Sequence, residues 1–153
     1  MTEKNIFEIF ATDKKAELDG KWHRIGNSEF LLARAGGSNT KFTAAYSSSS
    51  RPYERQQRMG TLSEETARAI LIEPFVKHCL LDWRTRTINK ETGEEHIEAR
   101  HIVGKDGKPI MFSNATAAKL LNEIPDLLMM LVDASTAFSS YAPTDMEEDL
   151  KNL

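Results

Sequence analysis

Cysteine is almost missing from this sequence of 153 residues, because Cys79 is the only one. A single cysteine excludes an intramolecular disulfide bond. A chain of this size without disulfides is typical of a reducing compartment, so we expect a cytoplasmic protein.

Long apolar runs are missing as well. The longest uninterrupted run, residues 127–132, is six residues long, whereas a helix needs about 20 to cross a bilayer. Residues 1–13 mix charged and apolar side chains and lack the small-residue cleavage site of a signal peptide. The sequence therefore predicts neither a membrane span nor secretion.

An excess of positive charge is also missing, since the formal net charge is -3. Proteins that bind phosphate backbones without sequence preference need a concentrated basic surface, so nucleic acid is not an expected partner. Glycine and proline contents are ordinary for a globular protein. We expect one domain over residues 1–140, followed by an acidic tail at residues 141–153.

Turn signals in the first part of the chain predict β-structure over about residues 14–35. Asp19-Gly20 separates two alternating runs within residues 16–25, a pattern typical of a two-residue hairpin turn. Gly26-Asn27 is a second turn signal, and residues 29–35 could add a third strand. The sequence therefore predicts a hairpin or a three-stranded meander.

The pattern becomes helical over about residues 38–140. A helix is expected from Asn39 to the serines at 47–50, and another begins at Ser63, a favourable N-cap. The second helix should reach Trp83, although Pro74 should kink or split it near Ile70.

Residues 84–104 are polar and β-prone, and they predict a second hairpin near residues 85–104. Ser113 and Pro125 then favour the starts of two last helices. The predicted fold class is α+β and predominantly α, with a small N-terminal hairpin or meander before the helical region.

Few residues suggest catalysis. Glu94, His96 and Glu98 could share one face of a strand, but a closed zinc site usually needs four donors, so a solvated face is the favoured interpretation. Cys79 and His78 point about 100° apart on a helix and cannot form a nucleophile pair. We predict no catalytic residue, no metal site and no cofactor.

The apolar run at residues 127–132 exceeds what one core face of a helix requires. Leu127, Leu128 and Leu131 can face the core, which leaves Met129, Met130 and Val132 for another surface, and methionine suits adaptable contacts. The alternative is a helix that is buried on both sides within the domain.

A cluster of basic side chains, Arg51, Arg55 and Arg58, lies beside Tyr53. Such a cluster could contact phosphates or an acidic protein surface. Simple exposure to solvent is the third interpretation.

Three stretches of the sequence form a recognisable set: FLLARAGGSNTKF at residues 30–42, RPYERQ at 51–56 and DGKPIMFS at 106–113. Together they resemble a tail assembly chaperone family of long-tailed bacteriophages and prophages. Trp83 and residues 117–127 follow in the matching order, so the resemblance covers about residues 18–138. Pro74 and the long connection at 84–104 depart from the family pattern.

The resemblance implies a mostly helical protein that binds the tape measure protein and keeps its apolar helices soluble in the host bacterial cytoplasm. It also implies that the protein helps to recruit tail tube subunits. On this interpretation the partner-binding candidates are Phe75, Met129, Met130 and Val132, with a rim formed by Arg51 and Arg55. Self-association is left open.

Two other classes of protein stay open at this point. A structural tail protein, such as a tail completion or tube-associated subunit retained in the virion, would share the size and the lack of catalytic residues. An enzyme would have to use Glu94, His96 and Glu98.

Overall fold

The computed structural model describes residues 3–143 and has an α+β fold, as the sequence predicts. In this part of the chain the helices are α1 (Ile6–Ile9), α2 (Lys14–Asp19), α3 (Thr40–Ser50), α4 (Glu54–Met59), α5 (Glu64–His78), α6 (Asn114–Glu123) and α7 (Pro125–Thr136). The strands are β1 (Lys21–Ile25), β2 (Ser28–Leu32), β3 (Leu80–Ile88), β4 (Glu95–Ala99), β5 (His101–Val103) and β6 (Pro109–Met111). Short 3-10 turns follow α3 and α7, at Arg51–Tyr53 and Phe138–Tyr141.

The N-terminal hairpin forms around the second of the two predicted turns. β1 and β2 pair antiparallel across Gly26-Asn27, with Ile25 opposite Ser28 and a positive φ at Gly26 that suits glycine. The prediction of a hairpin turn at Asp19-Gly20 is wrong, because residues 14–19 form α2 and Gly20 follows its end.

Local capping explains why α2 replaces the predicted strand. The Asp13 carboxylate accepts hydrogen bonds from the amides of Lys15 and Ala16, which starts the helix. Gly20 ends it with a φ of 93°. A glycine with positive φ serves a helix C-terminus as well as a hairpin, so the Asp-Gly pair alone could not separate the two.

Four strands form one antiparallel sheet in the order β1-β2-β3-β4, and β5 and β6 form a separate two-stranded sheet. The second predicted hairpin is confirmed as β3 and β4. The prediction that the central helix reaches Trp83 is wrong, because α5 ends at His78 and Trp83 lies in β3. The Trp83 indole N–H donates to the Ile110 carbonyl over 3.0 Å, which fixes the ring in the core.

Pro74 lies inside α5 without dividing it, so the predicted split does not occur. Proline has no amide hydrogen to donate to the Ile70 carbonyl one turn earlier. The Ser49 hydroxyl at the end of α3 donates to that oxygen over 3.0 Å. The serine run therefore supplies the hydrogen bond that the proline removes.

The core lies between one face of the four-stranded sheet and the helices. Its largest fully buried apolar side chains come from the sheet, from α5 to α7 and from the last 3-10 turn: Leu32, Phe75, Leu80, Trp83, Leu121, Leu128, Leu131 and Tyr141.

The opposite face of the sheet carries a charge cluster around the buried Glu29. Glu29 accepts hydrogen bonds from Arg84 over 2.8 Å and from Arg86 over 3.3 Å, and Arg84 stacks over the Trp22 ring at 3.8 Å. Burial raises the pKa of the Glu29 carboxyl, but the two arginines outweigh that effect and the pKa is lowered overall.

The two ends of the described chain are tied together. The Asp13 amide donates to the Tyr141 carbonyl over 2.7 Å, and the buried Tyr141 hydroxyl donates to the Leu32 carbonyl over 3.0 Å. Tyr141 and Ala142 are fully buried. The remainder of the predicted acidic tail, residues 144–153, lies outside the described residues.

Candidate partner-binding surface

Helix α7 presents one face to the core and another to the surface. Pro125 occupies its first turn, where a missing amide hydrogen costs nothing, and Asp126 favours the positive end of the helix dipole. Leu128, Leu131 and Ser135 are buried at spacings of three and four residues, as expected for a single core face.

The two methionines lie on the surface side of α7. The exposed fractions are 51% for Met129 and 56% for Met130. Val132 is half-buried and packs against the core, as does Leu127. The interpretation of α7 as a helix enclosed on both sides is therefore wrong, and Val132 contributes less to the surface than the sequence predicts.

A groove lies beside Met130, between the β1–β2 hairpin, the β5–β6 pair and the junction of α6 with α7. We call it the Met130 groove, and its volume is about 850 Å³. Its apolar walls are Ile25, Phe30, Ile102, Val103, Ile110, Leu120, Ile124, Leu127 and Met130. Lys105, Glu123 and Asp126 supply charge at its edges.

A second groove lies beside Met129, between α5 and α7. We call it the Met129 groove, and its volume is about 410 Å³. Its lining residues are Glu64, Ala67, Arg68, Leu71, Pro125, Leu128 and Met129. Consecutive helix positions point about 100° apart, so the two methionines form a ridge with one groove on each side.

Phe75 does not belong to this surface. Its side chain is 0% exposed and packs edge-on against Phe42, with ring centroids 6.4 Å apart. The prediction that Phe75 contacts a partner is therefore wrong. Apolar side chains occur around α5, and the sequence does not distinguish those that face the sheet from those that line a groove.

Arg51 and Arg55 are exposed, but neither lines either groove. They lie in the 3-10 turn after α3 and in α4, whereas α7 packs against α6 and the last 3-10 turn. The predicted rim of arginines thus lies on a separate surface. The arginine that does line the Met129 groove is Arg68, which sequence reasoning missed.

Ile124 is the other residue that sequence reasoning missed. It separates α6 from α7 and is exposed at the wall of the Met130 groove. The sequence carried one signal for an exposed Ile124: it directly precedes Pro125, which starts α7. A residue at such a junction belongs to the buried face of neither helix.

Of the candidate group Glu94, His96 and Glu98, the last two lie in β4, and Glu98 pairs with two histidine side chains. The Glu98 carboxylate lies 2.7 Å from His101 Nε2 and 3.5 Å from His96 Nε2. The hydrogen bond with His101 lowers the pKa of Glu98. Within residues 3–143, no three His, Cys, Asp or Glu side chains are arranged to hold a metal ion. Burial raises the pKa of the Cys79 thiol to about 12.

No helix within residues 3–143 has the length and apolar character needed to cross a membrane.

Residues 37–152 match the family described as YdaY prophage protein. No curated protein matches the chain. No solved structure matches it either. The matched residues contain α3 to α7 and therefore both methionines, whereas β1 and β2 precede them. Because the match covers well over half of the 153 residues, the chain belongs to the YdaY prophage protein family.

Proposed function

We propose that this prophage protein is a tail assembly chaperone, which binds apolar helices of the tape measure protein at the Met129 and Met130 grooves. The observation that carries the proposal is the ridge of two exposed methionines between two apolar grooves. An amphipathic helix recognised by its apolar stripe is the partner that such grooves fit. Membership of a prophage family agrees with a role in building a phage particle.

The expected affinity of one copy is moderate. Fully burying a methionine side chain is worth about 1.5–3 kcal/mol, and Met129 and Met130 are each about half exposed beforehand. Each therefore contributes roughly 1 kcal/mol, which must offset part of the cost of association. Moderate affinity per copy leaves each copy displaceable by polymerising tube subunits.

Charge defines the kind of helix that would bind. Glu123 and Asp126 outnumber Lys105 at the edge of the Met130 groove, so a stripe flanked by lysine or arginine is favoured there. Arg51 and Arg55 are exposed on a different surface. That surface would bind an acidic face of the tail tube protein. The protein would act in the host bacterial cytoplasm and would catalyse no reaction.

Co-expression with a tape measure fragment tests the proposal. The fragment should shift from the pellet to the soluble fraction with the wild-type protein, and the double variant Met129→Asp with Met130→Asp should reduce that shift. Met59→Asp is the matched control, because Met59 is a similarly exposed methionine on α4. Circular dichroism should show all variants folded. A fragment that is equally insoluble with and without the wild-type protein would show that the assigned role is wrong.

Particle composition separates this role from that of a structural tail protein. A chaperone leaves the tail before completion, so mass spectrometry of purified virions should lack this chain. Its presence at a fixed number of copies per particle would favour the structural role.

A further inference from the structure

The N-terminal arm, residues 3–12, exposes an unusual amount of apolar surface. The exposed fractions are 82% for Phe7, 64% for Ile6, 59% for Phe10 and 38% for Ile9. Helix α1 buries none of its residues. An apolar patch of this kind on a folded domain marks a contact site.

The arm is held at one end of α7. Phe10 packs against Phe138 just after that helix, with tilted rings whose centroids lie 4.7 Å apart, and the Asp13 amide donates a hydrogen bond to the Tyr141 carbonyl. The Met130 groove lies along the first half of α7, from Ile124 to Met130, and none of residues 3–12 lines it. The 12 residues of α7 span about 18 Å. In this arrangement the arm does not reach the groove of its own chain.

We infer that two copies of the protein form a two-fold dimer in which each arm docks into the Met130 groove of the other copy. If the two α7 helices run antiparallel across the axis, the C-terminal end of each lies beside the N-terminal end of its partner. That arrangement places both arms over both grooves at once. A closed two-fold contact of this kind is the commonest form of homo-oligomer.

The buried area favours reciprocal docking over a single contact. At roughly 200 Å² for a fully exposed large apolar side chain, the four arm residues expose roughly 490 Å². If the groove loses about half as much, one docked arm buries roughly 700 Å² and two bury roughly 1,400 Å². Specific interfaces bury about 1,200–2,000 Å², so one arm is insufficient and two are adequate.

The chemistry of the groove suits the arm. Its exposed walls include Val103, Ile124 and Met130, which match aromatic and aliphatic side chains. Glu8, Lys14 and Lys15 lie in or beside the arm, and Lys105, Glu123 and Asp126 stand at the groove edge. Both surfaces therefore carry charges of both signs around an apolar centre, and opposite charges can pair across the contact.

The docked arm would cover Met130 and leave the Met129 groove open. Self-association would then compete with any partner for the Met130 groove. The inference is independent of the tape measure protein, since it concerns the full chain alone and is tested without that partner.

Sedimentation equilibrium of the full chain is the first test. The wild type should show twice the monomer mass with a concentration-dependent transition, whereas Phe7→Asp and Ile124→Asp should each be monomeric. Met59→Asp should remain dimeric, because it adds the same charge at an exposed site outside arm and groove. Circular dichroism checks that each variant is folded. A monomeric wild type across the whole concentration range, or a dimer that survives both variants, would overturn the inference.

Disulfide cross-linking tests where the arm lies. Chains carrying Phe7→Cys, mixed with differently tagged chains carrying Ile124→Cys, should form a mixed disulfide when copper phenanthroline oxidises the two thiols. The native Cys79 is fully buried and should not compete. Cross-links only between identical variants, or none at all in a dimeric sample, would also overturn the inference.

Discussion

Removing the Ser49 hydroxyl should destabilise the protein through the Ile70 carbonyl. Pro74 has no amide hydrogen for that oxygen, and Ser49 donates to it over 3.0 Å. Ile70 is buried, so water cannot readily replace the lost donor. An unsatisfied buried acceptor costs about 1–3 kcal/mol, and we expect about 1.5 kcal/mol for Ser49→Ala. In a domain of this size the loss should lower Tm by about 5 °C.

A double-mutant cycle isolates this hydrogen bond from other effects. In a Pro74→Ala background, the alanine amide can donate to the Ile70 carbonyl within α5, so Ser49→Ala should cost less than about 0.5 kcal/mol there. The coupling between the two positions should then be about 1 kcal/mol. The volume lost with the proline ring cancels in the cycle, because it is present in both variants that carry the substitution.

Urea unfolding followed by tryptophan fluorescence measures all four corners of the cycle, since Trp83 is fully buried. Ser50→Ala is the matched control, because the Ser50 hydroxyl bonds the Ser47 carbonyl on the exposed side of α3, and it should cost less than about 0.5 kcal/mol. Equal costs for Ser49→Ala in both backgrounds would refute the argument that the serine compensates for the proline.

Other variants test the core, the charge cluster and a helix start. Phe75→Ala should cost about 3–5 kcal/mol in urea unfolding through the cavity it leaves, whereas a side chain on the binding surface would cost little. Glu29→Gln should cost about 1–2 kcal/mol at neutral pH, because the partly exposed Arg84 and Arg86 then donate to a neutral amide oxygen and no longer to a carboxylate. The lowered pKa of Glu29 means that its contribution is complete above the ordinary value of a glutamate and is lost as the pH falls through the lowered value. The acid limb of the stability profile should therefore be shallower in Glu29→Gln, and an unchanged limb would contradict the assignment. Ser113→Ala should lower the unfolding free energy by about 1 kcal/mol, since Ser113 and Thr116 form a capping box, and Asn114→Ala is a neighbouring control.

Features that depend on neighbouring residues were predictable from the sequence. The Gly26-Asn27 hairpin and the helix starts at Asn39, Ser63 and Ser113 all appear where their turn or capping chemistry indicates. Each needs only residues within about four positions, so the local sequence carries the information.

Features that depend on distant residues were not predictable. The Asp19-Gly20 pair fits a hairpin equally well, and α2 is favoured partly by the contact of buried Glu17 with Arg34. Trp83 continues an apolar series with helical spacing, but it lies in β3, where its indole N–H donates a hydrogen bond to the Ile110 carbonyl of β6. Neither contact can be inferred from the spacing of apolar and polar residues nearby in the sequence.

The candidate site divides in the same way. Met129 and Met130 were identifiable because their helix carries more apolar side chains than one core face can use. Phe75 was assigned to the wrong side, since only the packing of α5 on α3 and the sheet decides which of its apolar positions are enclosed. The Met130 groove is formed by elements from three parts of the chain and the Met129 groove by two, so no single stretch of sequence encodes either.

The bond between Asp13 and Tyr141 also affects how the protein should be handled. Because the N-terminal arm and the last 3-10 turn meet at one corner, a purification tag at the N-terminus or a short fusion after the turn would lie close to Phe7 and Phe10. Such additions could block the arm sterically and make a dimer look like a monomer. The exposed turn between β3 and β4, around Thr92 and Gly93, is the better place for a reporter label.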